Sequence, residues 1–150
     1  MNSRFLSALF AFLALPGLVA FALPALWLAS QGAQLQQPWG LLTLCIGVIG
    51  LGVCVIDFYR KGRGTLAPWA PPERLVVVGL YRWSRNPMYI AVLLILIGWA
   101  WAFQSLPLAI YAGMVAVAFH LRVVLGEEPW LARQHGQDWI DYSGRVRRWF

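Results

Sequence analysis

Four long apolar segments dominate the chain, and short polar stretches separate them. The segments run from about residue 5 to 29, 39 to 58, 87 to 103 and 106 to 125. Each approaches the roughly 20 apolar residues that an α-helix needs to cross the hydrocarbon core of a bilayer. This pattern predicts an all-α integral membrane protein, a single domain over residues 1–150 with four transmembrane helices.

The charged residues predict how these helices are oriented. The segments at 30–38 and 104–105 carry no charge, whereas all 12 Lys and Arg residues lie before the first span, between the second and third spans, or after residue 121. Because loops rich in Lys and Arg stay on the cytoplasmic side, this distribution places both termini and the 60–86 loop in the cytoplasm. We therefore expect an integral membrane protein of the bacterial inner membrane with cytoplasmic N- and C-termini.

The overall composition supports a membrane protein and argues against other classes. Hydrophobic residues make up 60% of the chain and charged residues 12%, whereas soluble domains carry about 25% charged residues. The net charge of +6 lies beside apolar spans, so it favours lipid headgroups over nucleic acid as the partner. Cys45 and Cys54 do not have the spacing of metal ligands. We expect no metal, and the sequence does not predict the oligomeric state.

Arg85, Asn86 and Pro87 stand at the start of the third span. Pro87 suits the first position of a helix, and Asn86 is then an N-cap whose side-chain oxygen accepts from the free N–H of Met88 or Tyr89. These N–H groups and the guanidinium of Arg85 would together attract a carboxylate or phosphate. The alternative is a plain helix cap beside an arginine that reaches to the headgroups.

Glu127 and Glu128 are adjacent at the cytoplasmic end of the fourth span. Two neighbouring carboxylates repel each other and face the unfavourable end of the helix dipole, so their position favours a cationic or polyhydroxylated ligand. The alternative is an ordinary ion pair with Arg122, one turn earlier. Together the two predicted sites suit S-adenosylmethionine, a cationic nucleoside that carries a carboxylate, an ammonium, a sulfonium and ribose hydroxyls.

Aromatic and apolar residues recur along the tail at helical intervals. Trp139, Tyr142, Val146 and Trp149 follow one another at spacings of 3, 4 and 3, with arginines between the last members. This pattern is typical of a C-terminal interfacial amphipathic helix. A helix that packs on the cytoplasmic loop of the same chain would show the same spacing, so both interpretations stand.

Two segments resemble a known family. "GLYRWSRNPMYIA" and, further along, "EEPWLARQHGQDWIDYSGRVRRW" are similar to paired elements of the isoprenylcysteine carboxyl methyltransferase family and, more widely, of the integral-membrane phospholipid methyltransferases. The elements are an Arg-His-Pro-x-Tyr motif and a Glu-Glu pair trailed by Gly-x-x-aromatic-x-x-Tyr. Asn86 stands where the family usually has His, and Ala91 where Gly is common. The resemblance covers residues from about 57 onward.

The resemblance implies S-adenosylmethionine-dependent methyl transfer to a membrane-embedded, lipid-like or small apolar acceptor, such as an isoprenylcysteine-type carboxylate. The alternatives are methylation of a phospholipid amine and a non-enzymatic small membrane protein or transporter, although a cation exporter usually needs a carboxylate in mid-span. The resemblance implies catalytic roles for Arg122 and Glu127, and contacts to the methyl donor from Gly79, Tyr81, Asn86, Pro87, Met88, Tyr89, Glu127 and Glu128, beside the predicted anion contact of Arg85.

Overall fold

A computed structural model describes residues 13–61 and 75–150. The described residues are about 80% helical and contain no strand, as the apolar pattern predicted. The beginning of the predicted first span and residues 62–74 of the predicted cytoplasmic loop lie outside them.

The helices follow the apolar segments closely. In chain order they are a π-helical stretch (Leu13–Ala22) that continues into α1 (Leu23–Ser30), α2 (Pro38–Lys61), a 3₁₀ turn (Gly79–Arg82), α3 (Pro87–Ala102), α4 (Leu106–Arg122), a π-helical turn (Val123–Glu127), α5 (Glu128–His135) and α6 (Gln137–Arg145).

Within residues 13–61 and 75–150, two helical stretches are long and apolar enough to cross a membrane. They are Pro38–Asp57, with 20 residues, and Leu106–His135, with 30 residues. The apolar helices Pro16–Ser30 and Pro87–Ala102 are shorter. At about 1.5 Å per residue, α3 reaches roughly 24 Å, less than the roughly 30 Å of a bilayer core. Four spans therefore remain a prediction, whereas two helices have the required length.

The helix that contains the predicted fourth span continues past residue 125 to His135. Pro129 lacks the N–H that a regular helical ladder needs. The π-helical turn Val123–Glu127 directly precedes this proline, and its wider backbone spacing lets the helix continue. The polar residues that follow the fourth apolar segment thus continue the same helix.

α2 and α3 lie antiparallel with their backbones in close contact. A Cβ built on Gly40 would lie 2.2 Å from the backbone N of Ala102, and one on Gly98 would lie 2.6 Å from the N of Leu44. Small residues allow this kind of close helix packing in membranes. Because Gly40 meets the end of α3, the close pairing fixes where the beginning of α3 lies against α2.

Two backbone carbonyls shortly before Pro24 accept hydrogen bonds from side chains of neighbouring helices. Because Pro24 has no N–H, a carbonyl of the preceding turn loses its backbone donor. The indole of Trp99 donates to the Ala20 carbonyl at 3.0 Å, and the hydroxyl of Tyr111 donates to the Val19 carbonyl at 3.1 Å. These bonds tie the first helix to α3 and α4, as the absence of water inside a bilayer requires.

The apolar core lies between α2, α3 and α4, and the outward faces of the helices are apolar as well. Leu51, Ile95 and Leu96 are fully buried. Ile49 and Met114, on the outer faces, are 68% and 60% exposed. Large apolar surface around the whole bundle is what a lipid environment stabilises.

Candidate active site

The segment that leads into α3 brings the first predicted motif to one end of the bundle. The 3₁₀ turn Gly79–Arg82 is followed by an irregular stretch, and α3 then begins at Pro87. Gly79 has a positive φ of +57°, and a Cβ there would lie 2.0 Å from Oδ2 of Asp57. Gly79 is therefore required both by its backbone conformation and by its contact with α2. It lies against Asp57, not against the glutamates.

Glu127 is the centre of the first hydrogen-bonded group. The hydroxyl of Tyr89 donates a short hydrogen bond to Oε1 of Glu127. Nε of Arg122 donates to the same oxygen at 2.7 Å and to the Tyr89 hydroxyl at 3.1 Å. The ring of Tyr89 stacks on Phe119, with ring centroids 4.3 Å apart. The structure thus joins the first turn of α3 to the end of α4.

The π-helical turn explains why Arg122 reaches Glu127. In a regular α-helix, residues five positions apart point in different directions, since successive residues are rotated by about 100°. In a π-helix the backbone bonds join residues i and i+5, so these residues lie one above the other. Arg122 directly precedes the π-helical turn Val123–Glu127, and Glu127 is the last residue of that turn. The π-helical backbone therefore brings Arg122 and Glu127 close enough to form an ion pair, although their spacing would not favour contact in a regular α-helix.

Glu128, the first residue of α5, belongs to a second group. Arg148 donates to both of its oxygens, Nε to Oε1 and Nη2 to Oε2, each at 2.8 Å. Nη1 of Arg85 lies 3.1 Å from Oε1 of Glu128. The guanidinium of Arg85 also lies over the ring of Trp139, 5.6 Å from its centroid. The two adjacent glutamates therefore avoid mutual repulsion by pairing with different arginines.

Asn86 occupies the N-cap position of α3, but its side chain does not cap the helix. Its amide Nδ2 donates at 3.0 Å to the backbone carbonyl of Arg148. Ser84 is buried, donates to the same carbonyl at 3.2 Å, and accepts from the Asn86 N–H at 3.1 Å. The prediction that Asn86 caps Met88 or Tyr89 is wrong, because a tail carbonyl uses this amide instead.

The tail packs on the protein, which favours the second interpretation of its amphipathic pattern. Trp139 and Tyr142 are buried on the inner face of α6. The Tyr142 hydroxyl donates to the Tyr81 carbonyl at 2.7 Å, and burial raises its pKa to about 12. Helix α6 ends at Arg145. The predicted interfacial helix is thus a docked one, and Val146 and Trp149 lie beyond its end.

The remaining predicted site residues lie in or beside the apolar core. Pro87 is buried in the first turn of α3, and Met88 packs against both the apolar core and a small cluster of Cys54, Val76 and Tyr81. Tyr81 is buried beside Cys54 and Val76, and its burial raises the pKa of its phenol. These residues support the walls of the site, and the polar groups that a ligand would meet are those of the two glutamate groups.

The combined cluster of charged groups has features that suit a zwitterionic ligand. It contains the guanidiniums of Arg85, Arg122 and Arg148 and two carboxylates. Within the part of the chain that the structure describes, the buried Nε of Arg85 has no hydrogen-bond partner. Both bonds accepted by Glu127 converge on Oε1. The cluster therefore offers a buried donor for an anion and a carboxylate oxygen for a cation.

Sequence reasoning missed several residues of this site. Arg148 pairs with Glu128 although 20 positions separate them, and Ser84 bonds to a carbonyl 64 positions away. Trp149 donates from its indole to Nδ1 of His120 at 3.3 Å. The only sequence signal for these contacts is the density of arginines and aromatics after residue 138. No group of three or more potential metal ligands occurs in residues 13–61 and 75–150.

Comparison with known proteins gives one result for this chain. A family model described as phospholipid methyltransferase matches residues 40–138. The matched region contains all but the first two residues of α2, the whole of α3 and α4, and both glutamates. No match was found among curated proteins or among solved structures.

Proposed function

The chain belongs to the phospholipid methyltransferase family, within the isoprenylcysteine carboxyl methyltransferase-like membrane methyltransferases, and on that premise we propose that it transfers a methyl group from S-adenosylmethionine to a lipid-like acceptor. The observation that supports the proposal most directly is the contact between the two sequence motifs. Tyr89, at the start of α3, shares a hydrogen-bonded group with Glu127, in the π-helical turn that follows α4. One ligand can therefore contact both elements.

The polar groups of the site fit the charges of the proposed donor. The guanidinium of Arg85, whose buried Nε has no hydrogen-bond partner among the described residues, suits the donor carboxylate, because charge-assisted hydrogen bonds are the strongest available to it. The second oxygen of Glu127 suits the ammonium or the ribose hydroxyls. The side chain of Glu127 is 32% exposed, so a ligand can reach it. When bound, S-adenosylmethionine supplies a methyl group already activated by its sulfonium.

The chain's own residues would then position the reactants and exclude water. Arg85 and Asn86 would orient the donor from the α3 side, and Glu127 from the α4 side. Arg122 donates to Glu127 and Tyr89 through Nε alone, which leaves its terminal amino groups to orient an anionic acceptor. No nucleophile on the protein is required, because methyl transfer from a sulfonium is a direct displacement.

The nature of the acceptor decides whether a base is needed. An isoprenylcysteine-type carboxylate is ionised at neutral pH and reacts without losing a proton. The family description favours a phospholipid as a second candidate, and an ammonium headgroup must lose a proton before it can be methylated. Glu127 would then accept that proton, directly or through water. We propose that the site faces the cytoplasm, where the Lys and Arg distribution places it.

Transfer of a labelled methyl group tests this function. The purified protein in vesicles made from a bacterial lipid extract should move label from methyl-labelled S-adenosylmethionine into the organic phase. A methyl ester would release the label on mild alkaline treatment, whereas an N-methyl group would retain it, so the same experiment identifies the acceptor class. Asp138→Asn, at an exposed carboxylate of α6, should remain active, and Glu127→Gln should not. Folded wild-type protein that transfers no label to any lipid fraction would contradict the proposal.

A further inference from the structure

The chain leaves α6 in an extended conformation and passes across the candidate site. We call residues 146–149 the strap. Its backbone runs parallel to the segment before α3, with a bridge between Ser84 and Arg147. The Arg85 N–H donates to the Arg147 carbonyl at 2.9 Å. The Asn86 amide donates to the Arg148 carbonyl at 3.0 Å. The strap is therefore bonded to the two motif residues that precede Pro87.

The side chain of Arg148 makes the most directional contact of the strap. It binds Glu128 through two parallel bonds of 2.8 Å, a geometry that fixes the carboxylate plane as well as its position. Glu128 in turn lies 3.1 Å from Arg85. The side chains of Arg85 and Glu128 are only 14% and 15% exposed, so water competes weakly for this pair. Arg148 thus sets the orientation of Arg85 through one shared carboxylate.

We propose that Arg148 is a positioning residue of the methyl-donor site, an inference that rests on the proposed function. It acts through Glu128, which it orients, and through that carboxylate on Arg85, whose guanidinium would meet the ligand. Its backbone carbonyl holds the amide of Asn86 at the same time. Residues beyond the matched region, which ends at residue 138, would therefore complete the donor site.

A role in docking the tail alone is less consistent with these contacts. Helix α6 is already anchored by Tyr142, whose hydroxyl donates to the Tyr81 carbonyl. The strap has a further anchor in Trp149, which bonds to His120. Without the guanidinium of Arg148, Glu128 still pairs with Arg85, and what is lost is the fixed orientation of the carboxylate. We therefore expect the affinity for the donor to change more than the stability of the protein.

A double-mutant cycle measured by calorimetric titration with S-adenosylhomocysteine tests the proposal. Arg148→Gln should weaken binding roughly tenfold, the loss expected for one oriented charge-assisted contact. In a Glu128→Gln background the same substitution should have little further effect. Arg147→Gln is the matched control, since its guanidinium reaches only the Phe150 carbonyl, at 3.4 Å, among the described residues, and it should bind like wild type.

The outcomes separate this inference from the proposed function. If wild-type protein does not bind S-adenosylhomocysteine, the proposed function is wrong and the inference falls with it. If wild type binds and Arg148→Gln binds equally well, or loses as much affinity in the Glu128→Gln background, Arg148 does not act through Glu128. Should Arg148→Gln not stay folded, Arg148→Lys keeps the charge but not the paired bonds. Intermediate affinity at an unchanged unfolding midpoint then supports the proposal, and wild-type affinity overturns it.

Discussion

Removal of the Tyr89 hydroxyl tests whether the Tyr89–Glu127–Arg122 group positions the donor. Tyr89→Phe keeps the ring stacked on Phe119 and deletes only the oxygen that donates to Glu127 and accepts from Arg122. A hydrogen bond to a charged group contributes about 1.5–3 kcal/mol. The side chains of Glu127 and Arg122 are 32% and 47% exposed, so water replaces part of this, and about 1 kcal/mol remains.

This loss should appear in stability and, because the hydroxyl also holds Glu127 in place, in donor affinity as well. About 1 kcal/mol corresponds to a roughly fivefold rise in the dissociation constant, to be measured by calorimetric titration with S-adenosylhomocysteine in detergent. Tyr111→Phe is the matched control, because it deletes a hydroxyl that donates to the Val19 carbonyl at 3.1 Å, away from the site. It should lower the thermal unfolding midpoint without a change in affinity. Equal affinities for Tyr89→Phe and wild type would refute the reasoning.

Two further predictions concern packing and the docked tail. Gly47→Ala should lower the thermal unfolding midpoint, because its Cβ would lie 2.8 Å from the Ala91 carbonyl and overpacking costs about 1–3 kcal/mol. Gly52→Ala on the same helix, where a Cβ meets nothing within 4 Å, should be neutral or stabilising. Equal unfolding midpoints for the two variants would contradict the packing. Burial raises the pKa of Tyr142 to about 12, above its value of about 10 in unfolded chains. The stability contributed by the neutral phenol should therefore be complete below pH 10 and lost as the pH rises towards 12. The rate at which a protease cleaves the tail, measured across this pH range, would follow the loss. Tyr142→Phe should remove that dependence, and an unchanged pH profile in this variant would assign it to other groups.

Local sequence signals predicted where the helices lie and which motifs meet. Pro87 fixed the start of α3 at the predicted residue, because its missing N–H and preset φ suit the first helical position. The apolar segments gave the bounds of α2 and α3 to within three residues. Tyr89 and Glu127 were expected in one site, and the structure brings them into contact. Their function in binding the donor remains a prediction.

The partners of the charged residues could not be predicted in the same way. An ion pair with Arg122 was one of the two interpretations of the sequence, and the structure shows it at Glu127, but the π-helical turn on which its geometry depends is indicated by no hydrophobic pattern. Asn86 favours a helix cap by its local sequence, but its amide nitrogen donates to a carbonyl 62 residues away and its side chain does not cap the helix. Arg148 likewise reaches Glu128 only because α6 folds back onto the 3₁₀ turn. Contacts of this kind follow from tertiary packing, which residue spacing does not encode.

The central claim is that the start of α3 and the end of α4 form a single site for the methyl donor. Calorimetric titration of S-adenosylhomocysteine into four single variants tests it most directly. Arg85→Gln and Glu127→Gln, one from each element, should each weaken binding at least tenfold. Their controls, Arg82→Gln and Asp138→Asn, alter exposed charges nearby and should bind like wild type. Loss of binding in only one of the two site variants, or in neither, would contradict the claim.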